Sequence, residues 1–313
     1  MQQPLNIVIF SSSCMCLPLV NMLQNKHLLV GVVVTVSTDP LANADTQQLV
    51  ANLQAMSIPI ASFSEEESLA AELDSWQANM GVVFNFPKRI PYQIVNYFAG
   101  EIFNIHASDL PNYRGSMPVY WQLRHNLDET KLTLHRLVQR FDSGDIGHQL
   151  SLPIHPFDNF QTLNMKIMQL APQLASEFIE LYKNQAIVWI PQRELTEYDY
   201  AAGRLTTEDL QLNWNKNTVD EYIGATKAGN PHHGGISVTC AQGPFQILQI
   251  SKSQQPTYGA EPGTVLLVDK FKGWVVAVTN GSVSLDVVAS QSGYFSGYQY
   301  AIRHGIDAGV QLI

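Results

Sequence analysis

Two apolar runs near the amino terminus, Asn6 to Phe10 and Leu29 to Val36, read as buried strands, with a helical stretch over Leu17 to Gln24 between them. This is a βαβ opening. Helices over Thr46 to Met56 and Glu66 to Trp76 then alternate with short strands at Pro59 to Ala61 and Gly81 to Asn85. Ile102 to His106 follows as a strand, Met117 to His125 as a helix and Leu132 to Val138 as a strand. Such alternation predicts an α/β fold with a mostly parallel, helix-covered sheet. From Leu163 to Tyr182 the apolar positions, Ile167, Leu170, Leu174, Phe178 and Leu181 among them, predict a long amphipathic helix.

The pattern changes after about residue 200. Short apolar runs at Ile236 to Thr239, Phe245 to Ile250, Gly263 to Val268, Gly273 to Val278 and Ser282 to Val288 are separated by Gly, Pro and polar residues. That spacing predicts a small β-barrel or sandwich. Glu197 to Asp209 reads as the linker, which gives two domains over residues 1–200 and 201–313. The aromatic tail from Gly293 to Ile313 suits packing on the second domain best, with an accessory ligand site and a subunit contact as the alternatives.

Composition narrows the function. Of 313 residues, 45% are apolar and 14% charged, against about 25% charged in typical globular chains. Lys and Arg number 18 against 27 Asp and Glu, for a net charge of −9. Up to residue 205 the counts are 12 and 19, and beyond it 6 and 8, so neither part carries the basic surplus of a polyanion binder. Nucleic acid is disfavoured. No apolar run approaches the roughly 20 residues of a membrane span. The start, MQQPLNIVIF, has no basic segment and turns at once into a strand, so a cytoplasmic protein is expected. Cys14, Cys16 and Cys240 suit neither a disulfide framework nor a four-ligand zinc site. They read as reduced structural thiols, and no metal is expected.

The segment FNIHASDLPNYRGSMPVYW, Phe103 to Trp121, is the most unusual in the chain. Asn104 and His106 lie two apart on a strand, so an amide and an imidazole share one face at its carboxyl end. That is where open α/β sheets place their ligands. Downstream, RFDSGDIGHQL puts Asp142 and Asp145 in a Gly-rich turn. An amide as oxyanion donor, an imidazole as base and a carboxylate as orienter suit addition to a carbonyl. On spacing alone the same residues also fit a hydrogen-bonded strand end and an ordinary turn. Ser11-Ser-Ser after the first strand has neither a Walker lysine nor a G-x-G-x-x-G pattern.

At these residues the chain resembles the formyltransferases that use N10-formyltetrahydrofolate. Their hallmark is Asn-x-His-x-Ser-x-Leu-Pro-x-x-Arg-Gly followed by an Asp-x-Gly-Asp turn. Asn104, His106, Ser108, Leu110, Pro111, Arg114 and Gly115 fill the first pattern, and Asp142, Gly144 and Asp145 the second. The resemblance implies a Rossmann-like catalytic domain followed by a small OB-like β-barrel. It also implies a catalytic trio of Asn104, His106 and Asp142, with N10-formyltetrahydrofolate as formyl donor. The folate is then expected against Phe84, Phe86, Pro87, Lys88, Arg89 and Ile90, and against Val138, Arg140, Phe141 and Asp142. Ser11, Ser108, Arg114, Gly115 and Met117 stand as candidates on the acceptor side.

Family members acting on methionyl-tRNA carry a Gly-Thr-Pro after the first strand and basic residues in the insertion that follows. This chain has Ser11-Ser-Ser-Cys-Met-Cys there, and no Lys or Arg from Asp39 to Gln48. Phe10 to Pro18, VVFNFPKRIP and the run Leu132 to Asp142 are instead similar to the formyltransferase domain acting on UDP-4-amino-4-deoxy-L-arabinose. The resemblance therefore implies the primary amine of a nucleotide-linked amino sugar as acceptor, with Arg114 and Arg204 as candidate cations for its diphosphate. Methionyl-tRNA, another small amine such as hydroxyornithine, and a non-catalytic folate binder remain as alternatives. The oligomeric state is open, with a homodimer among the options.

Overall fold

Four consecutive apolar residues, Ile7–Phe10, form β1 and are all fully buried, as expected of a strand covered on both faces. The structure is a computed structural model describing residues 4–36, 39–63, 66–206, 208–240 and 243–313, without the side chains of 66–68. After β1 come α1 (Leu17–Asn25), β2 (Leu29–Val34), α2 (Pro40–Ala55), β3 (Ile60–Ser62), α3 (Glu66–Ser75) and β4 (Met80–Val83). The chain continues through α4 (Tyr92–Tyr97), β5 (Ile102–His106), α5 (Pro118–Arg124), β6 (Glu129–Arg136), β7 (Ile146–Pro153) and α6 (Phe160–Lys183). Among the described residues the strands form one seven-stranded sheet in the order β3-β2-β1-β4-β5-β6-β7. Pairing from β3 through β5 is parallel, and β6 runs antiparallel to β5.

The expected alternation is present, with local corrections. α2 begins at Pro40 rather than Thr46, because Asp39 caps it by accepting from the N–H groups of Leu41 (2.8 Å) and Ala42 (3.2 Å). α4 and β7 are additions to the sequence reading. β7 mixes half-buried His148 and Gln149 with buried Leu152 and shows no clean alternation. One face of the sheet packs Val8, Phe10 and Val33 against Leu69 and Leu73 of α3 and Ile94 of α4. Phe103 of β5 meets Phe178 of α6 at 4.8 Å between ring centroids.

Two compact units result: Met1–Gly115, Thr130–Leu152 and Asn164–Ala201 form the first, and Ser116–Glu129, Pro153–Leu163 and Ala202–Ile313 the second. The second contains α7 (Val219–Gly229), β8 (Ile236–Cys240), β9 (Gly243–Ser253), β10 (Val265–Asp269), β11 (Gly273–Val278), β12 (Gly281–Ser290), β13 (Gly293–Ser296) and α8 (Gly297–Arg303). Its strands form a separate antiparallel sheet, β10-β11-β12-β9-β8, with β13 paired to β12. Trp274, Tyr222, Phe245 and Tyr300 centre its core. The tail packs as expected at Tyr300, which stacks on Trp274 at 6.0 Å, whereas Tyr294 and Ile302 are exposed. Among the described residues no helix is long and apolar enough to cross a membrane.

Candidate active site

The strand β5 alternates so that Asn104 and His106 share a face, and its antiparallel partner β6 sets His135 opposite Asn104 and Thr133 opposite His106. The β6–β7 turn then returns Asp142 to the same place. Asn104 Nδ2 donates to Asp142 Oδ1 at 3.1 Å and lies 3.2 Å from His135 Nε2. His106 Nδ1 and His135 Nε2 stand 3.7 and 3.6 Å from that same Oδ1. The two imidazoles and the Asp142 side chain are nearly enclosed, and Asn104 is half-buried.

Ring orientation at His106 comes from the backbone. Its Nε2 lies 2.8 Å from the carbonyl oxygen of Tyr113, which can only accept, so Nε2 carries the hydrogen. Nδ1 therefore faces Asp142 across a gap too long for a direct hydrogen bond. The carboxylate acts on His106 by charge, while the Tyr113 carbonyl holds the ring. Tyr113 itself sits at φ 59, and its N–H donates to Tyr200 O at 2.7 Å. Ser108, fully buried, braces the same loop by donating to Asn112 O at 2.7 Å, and its own carbonyl accepts from Thr133 Oγ1 at 2.6 Å.

Asp142 is held from several sides. Gly115 donates its N–H to Oδ2 at 2.9 Å from a backbone at φ 125, a conformation that favours glycine. Burial pushes the Asp142 carboxyl upward, but His106, His135 and the Gly115 N–H outweigh it and hold the group well below the usual carboxylate range. It is ionised at neutral pH. For His106 burial dominates and pushes its pKa down, against the pull of Asp142 and the Tyr113 carbonyl, with His135 adding to the depression. The imidazole is thus neutral near pH 7, with Nδ1 free to take a proton beside a carboxylate.

The other candidates separate into groups. Arg89 donates to Gln139 O at 2.7 Å, and its guanidinium lies 5.5 Å from the ring centroid of Phe141, so the loop after β4 and the β6–β7 turn meet. Phe141 and Val138 are exposed there, as are Pro87 and Lys88, and Arg140 pairs with Glu194 at 2.6 Å. Phe84 and Ile90 are buried, Ile90 in the core on one sheet face, and Phe86 packs against Phe10 and Phe63. Ser11 is buried at the end of β1, and its neighbour Ser12 donates to Asn85 O at 3.2 Å. Arg114 is turned inward at 7% exposure, with Gln192 as acceptor. Met117 belongs to the second unit, where its N–H meets Ala202 O at 3.1 Å. Burial pushes Cys14 and Cys16 up to about 12, which suits structural thiols and not nucleophiles.

Residues 5–179, more than half of the chain, match the family model for formyl transferase. The chain belongs to that family. The formyl transferase shares its fold with WlaRD, a sugar 3N-formyl transferase solved in the presence of dTDP and 5-N-formyl-THF. That match has a TM-score of 0.66 at 16% identity, over 90% of this chain and 97% of the other. An N-formyltransferase from Helicobacter canadensis, in complex with folinic acid and dTDP-3-aminofucose, gives a TM-score of 0.67 at 15% identity over 89% and 98%. HypX from Aquifex aeolicus, in complex with tetrahydrofolic acid, gives 0.57 at 12% identity. It aligns with 96% of the formyl transferase but only 47% of its own length. At these identities the likeness is one of fold.

Two residues of the cluster's surroundings escaped the sequence reading: His135, and Gln192 beside the Asp142 turn. The position of His106 makes a direct expectation. Followed by NMR, its ring is expected to titrate below the ordinary value of about 6.5, because burial is the largest influence on it. In Asp142→Asn the midpoint is expected to fall further, since the charge that favours the protonated ring is gone. A midpoint at or above the ordinary value, or an upward move in Asp142→Asn, contradicts the assignment.

Proposed function

We propose that this formyl transferase moves the formyl group of N10-formyltetrahydrofolate onto the primary amine of a nucleotide-linked amino sugar. The observation that carries the reading is the cluster itself: a half-buried carboxamide and a neutral buried imidazole that stand 3.1 and 3.7 Å from one oxygen of an ionised carboxylate. Exposed Phe141 and Val138, with Arg89 over the Phe141 ring, form the wall on which a flat, anionic donor lies beside that cluster in this reading. The matched structures support the choice of ligands, since two of them hold a folate compound together with dTDP or a dTDP-sugar. The same reading takes the second unit's sheet as a small OB-like barrel and divides the chain at residue 200. Three free cysteines fit a cytoplasmic location.

In this reading Asn104 donates to the formyl oxygen as negative charge develops there, giving up its contact with His135 to do so. The amine nitrogen forms a bond to the formyl carbon, and the bond from that carbon to the folate nitrogen breaks. His106 Nδ1 takes the proton lost by the amine, and Asp142 stabilises the imidazolium. The imidazolium returns that proton to the folate nitrogen as its bond to carbon breaks, so the N-formylated sugar nucleotide and tetrahydrofolate leave with His106 neutral again.

The acceptor is tested by competition. Turnover of a nucleotide-linked amino sugar is expected to be insensitive to added initiator tRNA, with only weak salt dependence. Potent, strongly salt-dependent inhibition by tRNA would instead place a polynucleotide in the acceptor site.

A further inference from the structure

We propose that Gln192 is a positioning residue that links Arg114 to the main chain of the Asp142 turn and thereby sets the carboxylate against His106. The inference rests on the reading of Asn104, His106 and Asp142 as the working centre. Gln192 Oε1 accepts from both Nε (3.0 Å) and Nη2 (2.7 Å) of Arg114, a two-pronged contact that fixes the plane of both groups. The amide nitrogen of the same side chain donates to the carbonyl oxygens of Asp142 (3.0 Å) and Gly144 (2.7 Å). One side chain thus uses its acceptor on a buried cation and its donors on both ends of the turn.

The turn needs such support. Asp142 lies at φ 50, a backbone region that a residue other than glycine keeps only when its surroundings impose it. Gly115 N–H fixes the carboxylate end of the residue and Gln192 fixes the carbonyl end. Gln192 is itself on anchored chain: Arg193 pairs with Asp199, Thr196 N–H bonds Asp199 at 2.7 Å, and Ala201 bridges to Arg114. Arg114, which donates further to Arg193 O at 3.2 Å, is therefore a strut whose charge is directed at Gln192.

The test uses the full-length enzyme. Gln192→Ala removes both sets of bonds, and Gln192→Glu keeps an acceptor for Arg114 while turning oxygen toward two carbonyls. Both variants are expected to lose about 10- to 100-fold in kcat, the scale of a small misplacement in a catalytic site, with KM for the acceptor nearly unchanged. In an Asp142→Ala background the further change to Gln192→Ala is expected to cost nothing, because both act through one group. Independently of turnover, the His106 ring, which faces Asp142, His135 and the Tyr113 carbonyl, is expected to titrate lower in Gln192→Ala, in the same direction as expected for Asp142→Asn. Near-native kcat in both variants, fully multiplicative losses in the double variant, or an unmoved His106 midpoint overturns the proposal. A wild-type enzyme that formylates no amine defeats the functional reading instead, and the ring titration still decides the role of Gln192.

Discussion

Asn104→Ala is expected to lower kcat by about 10²–10³, roughly 3–4 kcal/mol of transition-state stabilisation, while the protein stays folded. The side chain sits on a sheet strand, so its position is set by the β5 backbone and by register with His135 on β6. Truncation removes the donor to Asp142 at 3.1 Å and leaves that carboxylate with Gly115 N–H still in place. Stability is therefore expected to change little, because Asn104 is only half-buried. The decisive signature is a fall in single-turnover rate that saturating both substrates does not repair. A variant with near-native turnover means that the oxyanion donor lies elsewhere.

Gly144→Ala is expected to damage both the fold and the chemistry. A methyl group at this position would lie 2.0 Å from the carbonyl oxygen of Arg136 and 2.9 Å from its carbon, and these are backbone atoms of β6 that cannot swing aside. The turn is closed at that point by Arg136 N–H donating to Asp145 O at 2.9 Å, and Gly144 O accepts from Gln192. Relief requires the turn to open, which moves Asp142, two residues away. Overpacking of this kind costs about 1–3 kcal/mol, and the displaced carboxylate is expected to reduce turnover by more than the loss of folded protein explains. Denaturant titration alongside kcat separates the two effects, and an unaltered midpoint with native turnover contradicts the tight approach.

What could be read from the sequence follows how local each feature is. β1, β2 and β5 were visible as apolar runs, and α6 as a helical stripe, because each is decided by burial of a single element. α4 spans only Tyr92–Tyr97, too short for periodicity to register. α7 did leave a signal: Thr218 and Glu221 form a capping box, with the Glu221 side chain accepting from Thr218 N–H at 2.7 Å. In the site, the shared face of Asn104 and His106 was legible from two-residue spacing, whereas reading them and Asp142 as a working group rested on the family resemblance. His135 was not, since its place opposite Asn104 follows from the antiparallel pairing of β6 with β5, a fact of tertiary structure. Arg114, a candidate cation for a diphosphate on its charge, is folded inward onto a glutamine far along the chain, a placement that no local pattern carries.

The most direct measurement of the central claim is formyl transfer itself. The enzyme is incubated with N10-formyltetrahydrofolate and a panel of nucleotide-linked amino sugars, and tetrahydrofolate release is followed alongside the acceptor's mass. The account predicts equal amounts of tetrahydrofolate and N-formylated sugar nucleotide with at least one acceptor, abolished in His106→Ala. Tetrahydrofolate release without an N-formylated product, or transfer that persists in His106→Ala, would contradict it.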